Sequence, residues 1–298
     1  MSECRLCPRF CGADRSKGPG SCGAGDKIKV ARAALHFWEE PCICGSGGSG
    51  AVFFSGCPLG CVYCQNKDIS DGRRGAEITP QRLYDIFFEL KEKSAENINL
   101  ITCGHFLPQV IPPLRSAKEN GLGLPVVYNT SSYETVSAIK SLEGLVDIFL
   151  PDLKYISSEL SSAFSACPDY FERASAAIDE MFRITGKCIF DENERLISGT
   201  IIRHLVLPGH TDDSKAVIEY LFGRYGNEVV YSIMSQYTPV IKNSPYPELL
   251  RKLTAEEYDD VIDFAIGTGI ENAYIQDGDS AEESFIPDFG LEGVFPEP

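Results

Sequence analysis

The sequence lacks any run approaching the roughly 18 consecutive apolar residues that a bilayer-spanning helix needs. Its opening, MSECRLCPRF, lacks the apolar core of a secretory signal. Together these absences predict a cytoplasmic protein with no membrane partner. Positive charge is also short. Lys and Arg total 27 against 43 Asp and Glu, a formal net charge of −16. That balance argues against nonspecific attraction to nucleic acid or anionic lipid, while leaving room for a small local basic site. No long linker interrupts the 298 residues, and 43% hydrophobic with 23% charged residues fits a globular chain that can bury a core.

Cysteine is abundant, at twelve residues. Without a secretion signal, tight cysteine clusters read as metal or cluster ligands and not as disulfides. The chain is organised around residues 51–71, AVFFSGCPLGCVYCQNKDISD. The apolar run 51–54 predicts a short buried strand that delivers Cys57, Cys61 and Cys64 into a loop, with Tyr63 just before the last. This C-x3-C-x2-C spacing can hold three corners of a [4Fe–4S] cube and leave one iron open to a substrate or cofactor. The same three thiolates could be most of a zinc site completed from elsewhere.

A second set, Cys4, Cys7, Cys11 and Cys22, lies among glycines that allow tight turns. Four thiolates complete a tetrahedral site, so a structural zinc is natural. An auxiliary iron–sulfur cluster that relays electrons fits equally well. Cys42 and Cys44 follow in a Gly/Ser-rich segment and read as ordinary reduced thiols, with a redox pair as the sharper alternative. The glycines beside them let backbone approach a ligand or a barrel wall.

From there helix and strand patterns alternate. Residues 81–95 carry an i, i+3, i+4, i+7 apolar stripe after Thr79 as N-cap and Pro80 at the first helical position. Further helices are predicted over 108–120, 133–142, 213–225 and 255–266, and over 157–185 with a break near Cys167 and Pro168. Strands are predicted over 97–102, 125–129, 146–152, 201–207 and 229–234, with a short one at 273–276. Strand–helix repeats with near-continuous apolar strands predict an α/β fold with a parallel sheet. About six units fall short of the eight that close a full barrel. The expected organisation is a four-cysteine module over 1–45, a (βα)6 partial TIM-type barrel over 46–280, and a C-terminal tail over 281–298 that packs on the barrel through Phe285, Ile286, Phe289, Leu291, Val294 and Phe295.

The cysteine loop resembles that of the radical S-adenosylmethionine (radical SAM) family, and the likeness runs from about Val30 to Gln236. It implies the same partial barrel, a [4Fe–4S] cluster whose open iron chelates the methionine part of SAM, and reductive cleavage to a 5′-deoxyadenosyl radical. It also implies electrons from a flavodoxin or ferredoxin. Asn129, Thr130, Asp152 and Lys154 match segments of the glycyl-radical activating enzymes, such as the pyruvate formate-lyase activator. In that likeness Lys154 pairs with the SAM carboxylate and the other three lie beside SAM. Asn129 stands where that group has Asp.

Thr102 and Gly104 occupy the place of a Gly-Gly-Glu-type segment whose backbone meets the SAM amino group, although one glycine and the acid are missing here. Gln236 or Tyr237 falls where the activators touch the ribose, and Tyr63 belongs to the cluster loop. His105 reads either as a proton donor or as structural. Asp152 and Lys154 also read as a surface ion pair, and Asp212 and Asp213 as helix caps. The N-terminal CRLCPRFCG and the run VVYNTSSY resemble a subgroup labelled pyruvate formate-lyase activating enzyme-like, for which hydrogen abstraction from a substrate is expected and a glycyl-radical enzyme is one hypothesis for that substrate. The competing readings are a non-catalytic iron–sulfur electron carrier and a zinc-binding module.

Overall fold

The computed structural model describes residues 3–240, 243–276 and 287–296. Strand β1 (Ile28–His36) turns through α1 (Pro41–Cys44) into β2 (Ser49–Phe54), which is buried along its whole length. The cysteine loop, α2 (Lys67–Ser70) and β3 (Ala76–Ile78) follow. Then come α3 (Pro80–Glu92), β4 (Ile98–Ile101), α4 (Leu107–Glu119), β5 (Val126–Thr130), α5 (Val136–Lys140) and β6 (Ile148–Pro151). The second half holds α6 (Ser158–Ser165), α7 (Tyr170–Thr185), β7 (Ile189–Phe190) and β8 (Leu196–Leu205). It ends with α8 (Thr211–Tyr225), β9 (Val230–Met234), α9 (Ala255–Thr268) and β10 (Ala273–Ile275).

Local chemistry explains the boundaries. The Thr79 side chain accepts from Arg82 N, Pro80 opens α3, and Leu83, Ile86, Phe87 and Leu90 bury one face. The predicted break in 157–185 occurs where Ala166 takes a left-handed φ of 49° at the end of α6. Asp213 does not cap its own helix. Its carboxylate accepts from Ser157 N at 2.8 Å and Ile156 N at 3.3 Å, and so ties the entry of α6 to α8.

Strands β2, β4, β5, β6, β8 and β9 form a parallel sheet in that order, with β10 added parallel to β9. The sheet does not close, and it is an open (βα)6 partial barrel. Three strands lie outside the expected repeat. β1 pairs antiparallel with β2, β3 pairs with β1, and β7 pairs with β8. Residues 28–44, expected in the N-terminal module, therefore supply β1 and α1 to the barrel.

The part of the tail that is described packs on β1. Leu291 N donates to Ala31 O and Ala33 N to Glu292 O, while Phe289 and Val294 are buried and Phe295 is exposed. Phe285 and Ile286 lie outside the described residues. No helix among the described residues is long and apolar enough to cross a membrane.

Strand periodicity sorts residues to the two faces of the sheet. Val52, Leu100, Tyr128 and Phe149 pack with α3 and α4 on the outside. Inside, Val127, Ile148, Leu150, Ile201 and Val230 close the floor against Cys42 and Ile43 of α1. Above this apolar floor lies a charged layer, in which Arg203 is the register partner of both Asp152 and Ser232. Arg203 donates to Asp152 Oδ1 at 2.8 Å and Asn129 Oδ1 at 2.7 Å, and faces Glu39 at 3.6 Å. Lys154 Nζ reaches Asp152 Oδ2 at 2.7 Å.

Buried charges are tolerated only when they are paired and hydrogen-bonded. Burial alone would raise the Asp152 carboxyl, but Arg203 and Lys154 outweigh it and hold it below the usual carboxylate range. Glu39 is different. Burial pushes it up to about 7, and Arg203 only partly opposes this. The Glu39 proton is thus held more tightly in the folded than in the unfolded chain. Its contribution to stability falls as pH rises from its ordinary value of 4.5 through about 7. Replacing Glu39 by Gln should remove that loss. Denaturant unfolding should show Glu39→Gln gaining on the wild type between about pH 5 and about pH 8, by on the order of 2 kcal/mol at about 1.4 kcal/mol per pKa unit. An unchanged difference across that range would contradict the assignment.

Candidate active site

The cysteine loop begins where β2 ends. Gly56 has φ 92°, and a Cβ there would lie 2.6 Å from Cys22 O, so the loop can lie against the N-terminal segment only with glycine at this point. Cys57 N then donates to Cys22 O at 3.1 Å, and Val62 N to Phe164 O at 2.8 Å. These bonds pin the loop to the module beneath it and to α6 beside it. Cys57, Cys61 and Cys64 all line a single cavity of about 250 Å³ at the mouth of the barrel. Burial pushes the Cys57 thiol up, and pushes Cys64 up to about 12 with help from its cysteine neighbours. Both remain protonated thiols until a metal displaces the proton.

The rest of the cavity lining comes largely from the strand ends, as expected for a parallel barrel. Thr102, Asn129, Asp152, Lys154 and Gln236 all line it, and so does Tyr63. The Asp152–Lys154 pair is half-buried in the cavity lining and not a surface ion pair, with side chains 13% and 16% exposed. Tyr170 fixes the turn that carries it. The Tyr170 hydroxyl accepts from Lys154 N at 3.0 Å and donates to Asp152 O at 2.9 Å. Burial would lower the Lys154 ammonium, but Asp152 and Cys61 keep it above its ordinary value. A lysine that stays charged there can meet an anionic group in the cavity.

Gly104, Thr130 and Tyr237 are not among the residues that line the cavity. Tyr237 donates to Leu249 O at 2.8 Å and packs its ring against Tyr63. Thr130 donates to Glu134 Oε1 at 3.0 Å, as Tyr128 does. A Cβ on Gly104 would meet that same Glu134 oxygen at 2.2 Å, so this glycine makes room for a buried carboxyl. Burial pushes the Glu134 carboxyl up to about 7, against the hydrogen bonds it accepts from Thr130 and Tyr128. His105 is buried, holds Ser55 O at 2.9 Å, and is pushed down to about 4 by burial. It is a neutral structural histidine at neutral pH.

Arg203, Glu39 and Glu134 organise the site, yet the sequence pattern singles out none of them. The available signal for Arg203 was an inward-facing strand position, two residues from Leu205 and from Ile201, that carries a charge.

In the N-terminal module, Cys4 N donates to Ala13 O and Gly12 N to Cys4 O, both at 3.1 Å, which folds the segment back on itself. Cys7 and Cys22 are buried, Cys4 is half-buried and Cys11 exposed. A Cβ at Gly20 would lie 3.2 Å from Cys11 Sγ and 3.8 Å from Cys22 Sγ, so these two thiols flank one turn. Cys42 and Cys44 are buried in α1, at the barrel floor. Among the described residues, no three His, Cys, Asp or Glu side chains are gathered around one ion-sized point. A cube spreads its ligands over separate irons, so its thiolates stand farther apart than those sharing one ion.

Comparison with known proteins adds the family. A curated protein of Methanocaldococcus jannaschii, described as uncharacterized, is 29% identical over 275 residues, covering 89% of this chain and 75% of that protein. A radical SAM methyltransferase from Sphaerobacter thermophilus superposes with a TM-score of 0.53 at 14% identity, over 76% of this chain and 66% of the other. SuiB of Streptococcus suis, bound to its precursor peptide SuiA, gives a TM-score of 0.50 at 10% identity, over 73% of this chain and 46% of SuiB. At such identities these structures share the fold alone. The model of the radical SAM superfamily matches residues 51–221, more than half of the chain and the whole span from β2 into α8, and on that match the protein belongs to the radical SAM superfamily.

Proposed function

We propose that Cys57, Cys61 and Cys64 hold a [4Fe–4S] cluster in the barrel mouth, and that SAM occupies the cavity between this cluster and the Asp152–Lys154 pair. One observation carries the reading: three thiols and a charged lysine line the same cavity. Three thiolates suit a cube with one open iron. Bound there, the cluster and SAM supply one-electron cleavage of a SAM C–S bond to a 5′-deoxyadenosyl radical, which abstracts hydrogen from a substrate.

The protein's own residues bind, orient and shield. Lys154 presents an ammonium for the SAM carboxylate, and Asp152 fixes where that ammonium points. Gln236 offers an amide at the ribose end. Its backbone carbonyl accepts from Gln65 Nε2 at 2.7 Å, and its backbone N donates to Gln276 Oε1 at 3.2 Å. Tyr63 packs edge-on to Tyr155 and Phe164 beneath the cysteine loop, which keeps that side of the cavity closed to water. A flavodoxin or ferredoxin is the class of electron donor that this chemistry calls for.

The finer reading is that the substrate is a glycine of a partner enzyme. The Asp152-Leu153-Lys154 and Asn129-Thr130 segments support it through their likeness to pyruvate formate-lyase activating enzymes. Cys4, Cys7, Cys11 and Cys22 are read as a second metal site, zinc or iron–sulfur, supported by two buried thiols and a turn that brings two of the four together.

The test is anaerobic reconstitution with iron, sulfide and zinc counted per chain, followed by dithionite reduction and measurement of 5′-deoxyadenosine. About four irons are expected from the loop cysteines, and either zinc or about four more from the N-terminal set. Cys61→Ala should abolish SAM cleavage. Lys154→Met should weaken SAM binding roughly tenfold or more, as loss of a charge-assisted bond of about 1.5–3 kcal/mol would do. Zinc without iron, or normal cleavage by Cys61→Ala, would sink the assignment.

A further inference from the structure

Arg9 lies between Cys7 and Cys11 of the N-terminal module, and its guanidinium is spent outside the module. Nε donates to Pro58 O at 2.8 Å and Nη2 to Leu59 O at 3.0 Å, both within the loop between Cys57 and Cys61. Nη2 also donates to Ser165 O at 2.8 Å, and Nη1 to Ala166 O at 2.6 Å. The group stands 5.5 Å over the Tyr133 ring. Carbonyls at the C-terminal end of a helix have no partner within it, and a planar five-donor cation can satisfy several at once. One side chain therefore ties the module, the cysteine loop and the end of α6 into a unit.

What α6 presents at that end is Ser165. Its side chain is buried, and its Oγ lies 3.2 Å from Cys61 Sγ as donor. That hydroxyl also lies 3.1 Å from Tyr155 Oη, and Tyr155 donates to Tyr63 at 2.5 Å. Once Cys61 ligates a cluster as a thiolate it is the stronger acceptor of the two, because hydrogen bonds to an ionised partner are about twice as strong as neutral ones, and the Ser165 proton then goes to Cys61.

We propose that Ser165 is the hydrogen-bond donor that sets the reduction potential of the cluster through Cys61, and that Arg9 is the positioning residue that holds Ser165 in place. The inference rests on the reading of Cys61 as a cluster ligand. Reduction adds one electron from the external donor, and its charge spreads onto the ligand sulfurs. An O–H pointed at Cys61 Sγ stabilises the reduced form more than the oxidised one, which raises the potential. The N-terminal module is then more than a second metal site, because it fixes how readily the catalytic cluster accepts its electron.

The experiment is a redox titration of the reconstituted full-length protein under anaerobic conditions, with iron counted and the reduced cluster's paramagnetic spectrum recorded. Wild type, Ser165→Ala, Arg9→Gln and the double variant are compared. Ser165→Ala should keep the wild-type iron content, lower the midpoint potential and alter the paramagnetic spectrum. Arg9→Gln should shift the potential in the same direction, and the double variant no further than Ser165→Ala, since both act on one bond. An unchanged potential in Ser165→Ala at full iron content would overturn the proposal. So would loss of the cluster from that variant, which would mark Ser165 as structural, or shifts that simply add in the double variant. A wild-type protein that takes up no iron would remove the cluster reading itself, and this proposal with it.

Discussion

A carboxylate buried between two cations governs the interior of this barrel. Asp152 takes Arg203 on one oxygen and Lys154 on the other, in a layer where unpaired charge would be prohibitive. Arg203 reaches down toward Asn129 and Glu39, while Lys154 faces the cavity. Removing Asp152 would strand both cations, and removing Arg203 would leave carboxylates with too few partners. The pair that faces the cavity is therefore set by residues below it. The apolar floor beneath, closed by α1, keeps water from dissolving the pairing from the other side.

A second constraint acts on the cysteine loop. The loop of twelve residues between β2 and α2 buries Leu59 and Tyr63 but has no strand or helix of its own to hold its backbone. Its backbone order also comes from neighbours: the N-terminal module through Cys22 and Arg9, α6 through Phe164, and the segment after β9 through Gln236, whose carbonyl accepts from Gln65. A cluster held by three thiolates needs those thiolates preorganised, because each degree of freedom frozen on binding opposes it. The module, the barrel and α6 meet at this one loop, which explains why cysteine-rich sequence is packed at the N-terminal side of the first parallel strand.

Much of this was legible in the sequence because the signals were local. The C-x3-C-x2-C loop, the Thr79–Pro80 cap and the apolar parallel strands each announce themselves within a few residues. Strand β1 did not. Its centre, Val30 to Leu35, carries three alanines, a residue depleted in strands, and its partner lies on the far side of a Gly-rich turn. The cation Arg203 and the carboxyls Glu39 and Glu134 were hidden for another reason. Their roles depend on which strand registers with which, and that is a property of the sheet and not of any window of sequence. The same holds for Arg9, which looks like a solvated charge between two cysteines until its four carbonyl partners, up to 157 residues away, are seen.

The central claim is that one iron of a cluster on Cys57, Cys61 and Cys64 is open and takes SAM directly. The most direct measurement is hyperfine spectroscopy of the reduced, reconstituted protein with SAM labelled by magnetic isotopes at its carboxylate oxygens and amino nitrogen. Strong coupling of both labels to the cluster spin, as expected for ligands bonded to iron, is the predicted result. A reduced cluster that binds labelled SAM with neither coupling would contradict the account.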